Sequence, residues 1–334
     1  MAMVSVRDVA QRAGVSVGTV SNAMNHPEKV SAAALARVTE AIEALGFIRN
    51  DAARQLRNGR SLTIGLVVLD VRNPFFTDIA RGAEARAAEA GLSVLLANSD
   101  ESPVRESAYL DLFEQQRVHG VLISPFGDIT SRLEQLRSRG IPAVLVDRGS
   151  TDASFSSVSV DDVAGGRLAV EHLIASGRRR IAYVGGPLTL RQTTDRLLGA
   201  REAAAEHPGV SIEVIEIEAL SVLAGRRAGA EIAERDSRPD AVFAANDLVA
   251  MGILQALVMR GAGLRVPEDV AIIGYDDIDF AAASVVPLSS IRQPAELIGR
   301  TAVDIMLSEA ADPTLEPRQV EFRPELVVRA STQS

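Results

Sequence analysis

Polar residues recur directly behind apolar runs in this 334-residue chain, and their types are those of a binding site. Asp70, Ser124, Asp147 with Arg148, Asp161, Asn246 with Asp247, and Asp276 with Asp277 each close a run such as TIGLVVL, GVLIS, AVLVD, VSVD, AVFAAN or AIIGYD. Carboxylates, amides and a guanidinium gathered at one cleft suit a neutral polyhydroxyl ligand, because each hydroxyl both donates and accepts a hydrogen bond. The same acids could do acid–base work. Against an enzyme, the chain has no G-x-G-x-x-G, no G-x-x-x-x-G-K-[ST] and no H-E-x-x-H. It has no cysteine and only four scattered histidines, so a disulfide framework, a thiolate metal site or a histidine-rich one is not expected, and neither is a cofactor. Each polar strand ending has an alternative role as a helix cap or loop residue, and Asn73, ahead of Pro74 and Phe75, reads as a cap.

The elements that would position these residues are short apolar runs alternating with helical patterns from Leu62 onward: TIGLVVL, SVLLA, GVLIS, AVLVD, VSVD, IAYVGG, VIEIE, AVFAAN and AIIGYD. Buried parallel strands joined by helices read this way, and ligands of open α/β sheets sit beyond the strands' carboxyl ends. So many strands crowd a single open sheet. Two similar α/β lobes with parallel sheets and a cleft between them are expected, with the chain crossing near SVDDVAGGRLAVEHLIASG. The lobes would be residues 61–161 plus 291–322, and 162–290 plus the C-terminal segment.

Ahead of this body lies a small all-α head. Ser5 caps a stripe of Val6, Val9, Ala10 and Ala13 that Gly14 ends, and Ser16 caps a second stripe of Val17, Val20, Ala23 and Met24. A turn that short, carrying a glycine, is the helix-turn-helix pattern, whose second helix enters the DNA major groove. Ser31, Leu35, Val38, Ile42, Leu45 and Gly46 mark a third helix, so that Val17, Gly18, Ser21, Asn22 and Asn25 face outward. The net charge of −9 argues against nucleic acid, but residues 1–60 hold eight basic against five acidic side chains. A basic head on an acidic body fits a DNA-reading module joined to a different domain.

The run VSVRDVAQRAGVSVGTVSNAMNHPEKVS, followed by LGFIRNDAARQLRNGRSLTIGLV, resembles the head, hinge and first strand of the LacI-type bacterial repressors, and the likeness continues through the body. The resemblance implies a three-helix DNA-binding domain over 1–49, a hinge over 50–60 and an effector-binding and dimerisation body over 61–334. It implies that the stretch from Asn50 to Asn58 turns helical on operator DNA. Two copies of Leu56 would then wedge into the minor groove beside Arg54, unstacking a base step and bending the duplex. Where many members carry large hydrogen-bonding side chains, this chain has Val17 and Gly18. Base reading then falls on Asn22, with Asn25 or His26 assisting, and Asn suits adenine. Ser5, Ser16, Thr19 and Ser21 read as phosphate-positioning groups.

For the body, the resemblance implies an effector held by Asp147, Arg196, Asn246, Asp276 and Gln293 with Phe75 and Phe76, and by Arg148 and Asp161 as further contacts. Arg196 and Asp276 are expected to clamp it from opposite lobes. Leu220 stands where relatives often carry a stacking aromatic, which favours a sugar over a flat purine. A corepressor-type regulator responding to a nucleobase remains the alternative within this class. The expected partners are double-stranded, pseudo-palindromic operator DNA, a small effector and a second copy of the chain. No heptad segment marks a tetramer in ELVVRASTQS. A transport receptor with the same body would need a signal peptide, and MAMVSVRDVAQRAGV is not one. With no run of ~20 apolar residues, a soluble cytoplasmic protein is expected.

Overall fold

The computed structural model describes residues 4–47, 61–149, 154–259 and 263–333. The expected hinge over 50–60, with Arg54 and Leu56, lies outside the described residues. Two compact units divide at Ser61 and Leu62.

The first unit is three helices: α1 (Val6–Ala13), α2 (Val17–Asn25) and α3 (Ala32–Leu45), with a short 3-10 turn at Pro27–Lys29. Local chemistry sets the ends. Ser5 and Asp8 form a reciprocal cap, the Asp8 carboxylate accepting from the Ser5 backbone N–H at 2.8 Å. Gly14 at φ 62° and Gly46 at φ 59° stop α1 and α3 in the left-handed conformation that glycine adopts without strain. Val9, Ala10, Ala13, Val20, Ala23, Val38, Ala41 and Phe47 close one small core.

The second unit holds two six-stranded sheets. The strands of the first half are β1 (Thr63–Val68), β2 (Ser93–Asn98), β3 (Gly120–Ile123), β4 (Ala143–Val146) and β5 (Ser157–Val160). Helices α4 (Pro74–Glu89), α5 (Pro103–Gln115) and α6 (Thr130–Ser138) connect them. The second half runs α7 (Asp162–Ala175), β6 (Arg180–Gly185), α8 (Arg191–Ala205), β7 (Ser211–Glu216), α9 (Val222–Glu234), β8 (Ala241–Ala244), α10 (Asp247–Met259) and β9 (Ala271–Asp276). After α11 (Asp279–Ala282) come β10 (Ser289–Arg292), α12 (Ala295–Ala311), β11 (Gln319–Phe322) and β12 (Glu325–Val327). The sheet orders are β11-β5-β4-β3-β1-β2 and β12-β10-β9-β8-β6-β7. All neighbours are parallel except β10 and β12.

Alternate residues of the central strands face opposite ways, and helices cover both sides. Ile64, Leu66 and Val68 pack with Ile79 of α4 and Val303 of α12, whereas Val67 packs with Leu110 and Phe113 of α5 and Leu136 of α6. The second lobe repeats the plan, with Val184 beside Val249 and Ile253, and Tyr183 beside Val170 and Leu197. Three helix pairs cross at reciprocal glycines: Gly82 with Gly299, Gly166 with Gly199, and Gly225 with Gly252. At each of the six, an added Cβ would run into a backbone carbonyl of the facing helix.

Several expectations need correction. The edge strands β2 and β7 are largely exposed or half-buried rather than buried runs, because nothing pairs beyond them in their sheets. Strands β10, β11 and β12 have no long apolar run to announce them. Strand β10 lies wholly in the second sheet, so the chain crosses back at Gln293 and Pro294, not at residue 291. Together with the crossings at Val160–Asp161 and between β11 and β12, this makes three links between the lobes. No helix among the described residues is long and apolar enough to cross a membrane.

Candidate effector cleft and nucleic-acid interface

In the head, α2 presents Val17 at 47% exposure together with the exposed Gly18 and Asn22. Thr19, Ser21 and Asn25 are half-buried and His26 is exposed. The Asn25 amide donates to the Ser21 carbonyl at 2.8 Å, so it is turned onto its own helix, and His26 pairs with Glu28 at 3.4 Å. The Ser5 and Ser16 hydroxyls are N-caps, Ser16 Oγ accepting from the Thr19 backbone N–H at 3.0 Å. They cap the helix ends whose backbone N–H groups and dipole favour a phosphate. The Asn22 amide on α2 is exposed, whereas Asn25 is bonded back to its own helix.

In the body, the strand endings of both sheets converge on a cavity between the lobes. From the first lobe, α4 begins with Asn73 as its cap and Pro74 at its first position, which turns Phe75 and Phe76 inward as an edge-to-face pair with centroids 5.2 Å apart. Asp147 follows β4 at φ 59°, and Asp276 follows β9 at φ 103°. Non-glycine residues held in such conformations mark places where the surroundings impose the geometry, here on two buried carboxylates.

Asp276 accepts from Asn73 Nδ2 at 2.9 Å, across the cleft, and from Gln293 Nε2 at 2.8 Å. Burial pushes its carboxyl up to about 6 against the opposing pull of Arg196, Asn73 and Gln293. Burial also drives Asp147 well above the carboxylate range, with Asp162 and Asp276 adding to it. Gln192 of α8 reaches over from the second lobe and donates to both the Asp147 carbonyl (2.9 Å) and its carboxylate (3.0 Å). The Arg196 guanidinium lies 3.7 Å above the Tyr275 ring, donates to Asp162 at 2.8 Å and to the Ala245 carbonyl at 2.7 Å, and stands 4.0 Å from Asp276. Burial works against its charge, but Asp162, Tyr275, Asp276 and Asp147 more than restore it. Asn246 accepts from the Val249 backbone N–H in the first turn of α10.

Of the expected effector residues, Phe75, Phe76, Asp147, Arg196, Asn246 and Asp276 line this cavity. Three stand elsewhere. Gln293 lies behind Asp276 and orients it. Arg148 bonds the Gly127 carbonyl and lines an adjoining chamber, and Asp161 lines the same chamber as the cap of α7. The expected clamp from opposite lobes is incorrect, because Arg196 follows β6 and Asp276 ends β9, both strands of the second sheet. The buried carboxylate that the first lobe brings to the cavity is Asp147. Asn73 is a cap, as expected, and also a cleft residue. Gln192, Thr193, Asp70 and Glu101 line the cavity as well; of these, sequence reasoning had marked only Asp70, as a strand ending. Among the described residues no group of His, Cys, Asp or Glu could hold a metal ion.

Residues 5–50 match the family described as bacterial regulatory proteins, lacI family, and residues 170–332 the periplasmic binding protein-like domain. The ribose operon repressor of Escherichia coli (strain K12) is 34% identical over 337 residues, covering 98% of this chain and 100% of the relative. The HTH-type transcriptional repressor PurR of Photobacterium profundum is 33% identical, covering 98% of each. The lac repressor dimer bound to operator and the anti-inducer ONPF superimposes with a TM-score of 0.85 at 29% identity, covering 100% of both chains. A LacI family regulator from Enterococcus faecalis V583 with bound ribose gives 0.73 at 31% identity, covering 80% of this chain and 98% of that one. With the helix-turn-helix head and the two-lobed body already in place, this likeness along the whole chain settles the relationship: the protein belongs to the LacI family of bacterial regulatory proteins.

Proposed function

We propose that the protein is a sequence-specific repressor of carbohydrate-utilisation genes that works in the cytoplasm as a homodimer on a pseudo-palindromic operator. A small sugar held between the lobes sets its operator affinity. The observation that carries this reading is the cavity itself, in one chain with a helix-turn-helix head, where buried carboxylates and amides from both lobes face two aromatic rings. A ligand shifts a conformational equilibrium only through unequal affinity for the two forms, and contacts from both lobes supply that inequality. Apolar ring faces beside acceptor-rich polar groups suit a sugar, whose C–H faces pack while its hydroxyls bond. Leu220 in the wall offers no second ring to sandwich a nucleobase. Ribose, the ligand bound in one structural relative and the sugar in the name of one of the repressors cited above, is the first sugar to test.

Pairing of two copies finds support in exposed apolar side chains, with Leu95 and Leu96 at 42% and 45% exposure on edge strand β2 and Phe280 at 55% after β9. Gel retardation of DNA from upstream of the gene, with and without ribose and a panel of other neutral sugars, tests the reading. Specific retardation that changes with one of the sugars is expected. A protein that retards all DNA alike, or whose specific complex ignores every sugar, overturns it.

A further inference from the structure

The wall of the cavity carries carboxylates without a free cation to match them. Glu101 follows β2 in a loop where Asp100 and Glu101 take φ of 53° and 55° in succession. Its half-buried carboxylate lines the cavity, and no hydrogen bond or ion pair among the described residues engages it. Beside it, Asp70 binds the Arg72 guanidinium at 2.8 and 3.0 Å, and the same guanidinium reaches Asp100 at 3.2 Å. That arginine is bonded to two acids and acts on Glu101 only through space. Arg196, the one cation lining the cavity among the described residues, is committed to Asp162 and the Ala245 carbonyl.

We propose that the cleft selects an uncharged sugar and rejects its phosphate and carboxylate derivatives, with Glu101 as the specificity-determining residue on the first lobe's wall. This rests on the sugar-effector reading above. An ionised carboxylate only accepts hydrogen bonds, so it pairs with a sugar hydroxyl that donates. A phosphate ester brings acceptor oxygens and about −1.5 to −2 charges to the same place. It therefore loses the hydrogen bond and meets like charge. The adjoining chamber offers no relief, since Arg148 is bonded to the Gly127 carbonyl, Arg191 to Asp195, and Asp161 and Glu321 share the wall.

Calorimetric titration of the full-length protein at pH 7.5 with ribose, ribose 5-phosphate and ribonate, and with glucose, glucose 6-phosphate and gluconate, tests this. At least one neutral sugar binds, and its two anionic derivatives bind at least about 100-fold more weakly, as expected where like charges meet at a binding surface. Glu101→Gln, which keeps the shape and an acceptor oxygen, narrows that ratio at least about fivefold. Glu84→Gln on the exposed face of α4 leaves it unchanged, which separates a local effect from net charge. The ratio is internal to each variant, so partial loss of folding cancels. An anionic derivative that binds as tightly as its parent sugar, or a ratio untouched by Glu101→Gln, overturns the inference and leaves the sugar reading standing. Binding by none of the six overturns both.

Discussion

Acidification of the cleft is the perturbation with the clearest consequence. Burial holds Asp276 near 6, against a reference of 3.8. It is then roughly 97% ionised at pH 7.5 and roughly 90% protonated at pH 5. Because the folded value is the higher one, the effector-free protein takes up a proton on folding. The stabilisation is fully present below 3.8, and it is lost as pH rises through 6. Between pH 7.5 and 5 the effector-free protein should gain about 1 kcal/mol from this carboxyl, and Asp147, shifted the same way, adds to it. Asp269, which its hydrogen bonds from Arg265 hold at about 2, titrates below this window and does not offset the gain.

Effector binding should move oppositely. A sugar hydroxyl donating to Asp276 requires the ionised form, so affinity should fall about tenfold from pH 7.5 to 5, with protons released on binding near pH 6. Calorimetry in buffers of different ionisation enthalpy counts those protons, and Asp276→Asn should remove its share of the count. Constant affinity of ribose, or of whichever neutral sugar binds, across this range, with no protons exchanged at pH 6, would show that Asp276 does not accept from the effector in its ionised form.

Asn22→Ala should relax discrimination at one operator base pair by about 1–3 kcal/mol, measured by retardation on base-substituted operators; uniform weakening on every sequence would make Asn22 a phosphate-side residue instead. Leu56→Ala should weaken operator binding at fixed salt while effector affinity stays as it was, and an unchanged operator affinity refutes the minor-groove wedge. Asn73→Ala removes both the α4 cap and the bond across to Asp276. Thermal unfolding should report a loss of about 1–2 kcal/mol, and calorimetry a weaker effector; a loss of stability with intact binding would leave Asn73 a cap alone.

The head was legible because its helices announce themselves with Ser caps and glycine stops, which act over three or four residues. The central strands were legible because strands covered on both faces must be continuously apolar. Strands β10 and β12 escaped because a neighbour in the sheet, not their own composition, makes them strands. Within the cleft, residues that end strands were readable from order along the chain. Gln192 and Glu101 were not, because Gln192 projects from a helix start and Glu101 stands three residues beyond the end of β2, past the position at which a strand ending is read. The assignment of Arg196 and Asp276 to opposite lobes failed because distance along the chain carries no information about which sheet a strand joins. Residue identities also cannot report rotamers, and Arg148 turns to the Gly127 carbonyl instead of the main cavity.

The glycine crossings carry a consequence for how this protein tolerates change. Gly166 touches no ligand, yet the atom a Cβ there would strike is the carbonyl oxygen of Arg196, and the Cβ at Gly199 would strike that of Val163, next to Asp162. The salt-bridged pair at the heart of the cleft is therefore gauged from behind by the thickness of two hydrogen atoms. One added methyl at either glycine would pry α7 from α8 and draw the guanidinium off its carboxylate, altering effector response from a position no map of ligand contacts would mark. Drift at these seams is thus constrained by the calibration of the site as much as by the fold, and variants with a muted response and an intact cavity wall should be sought there.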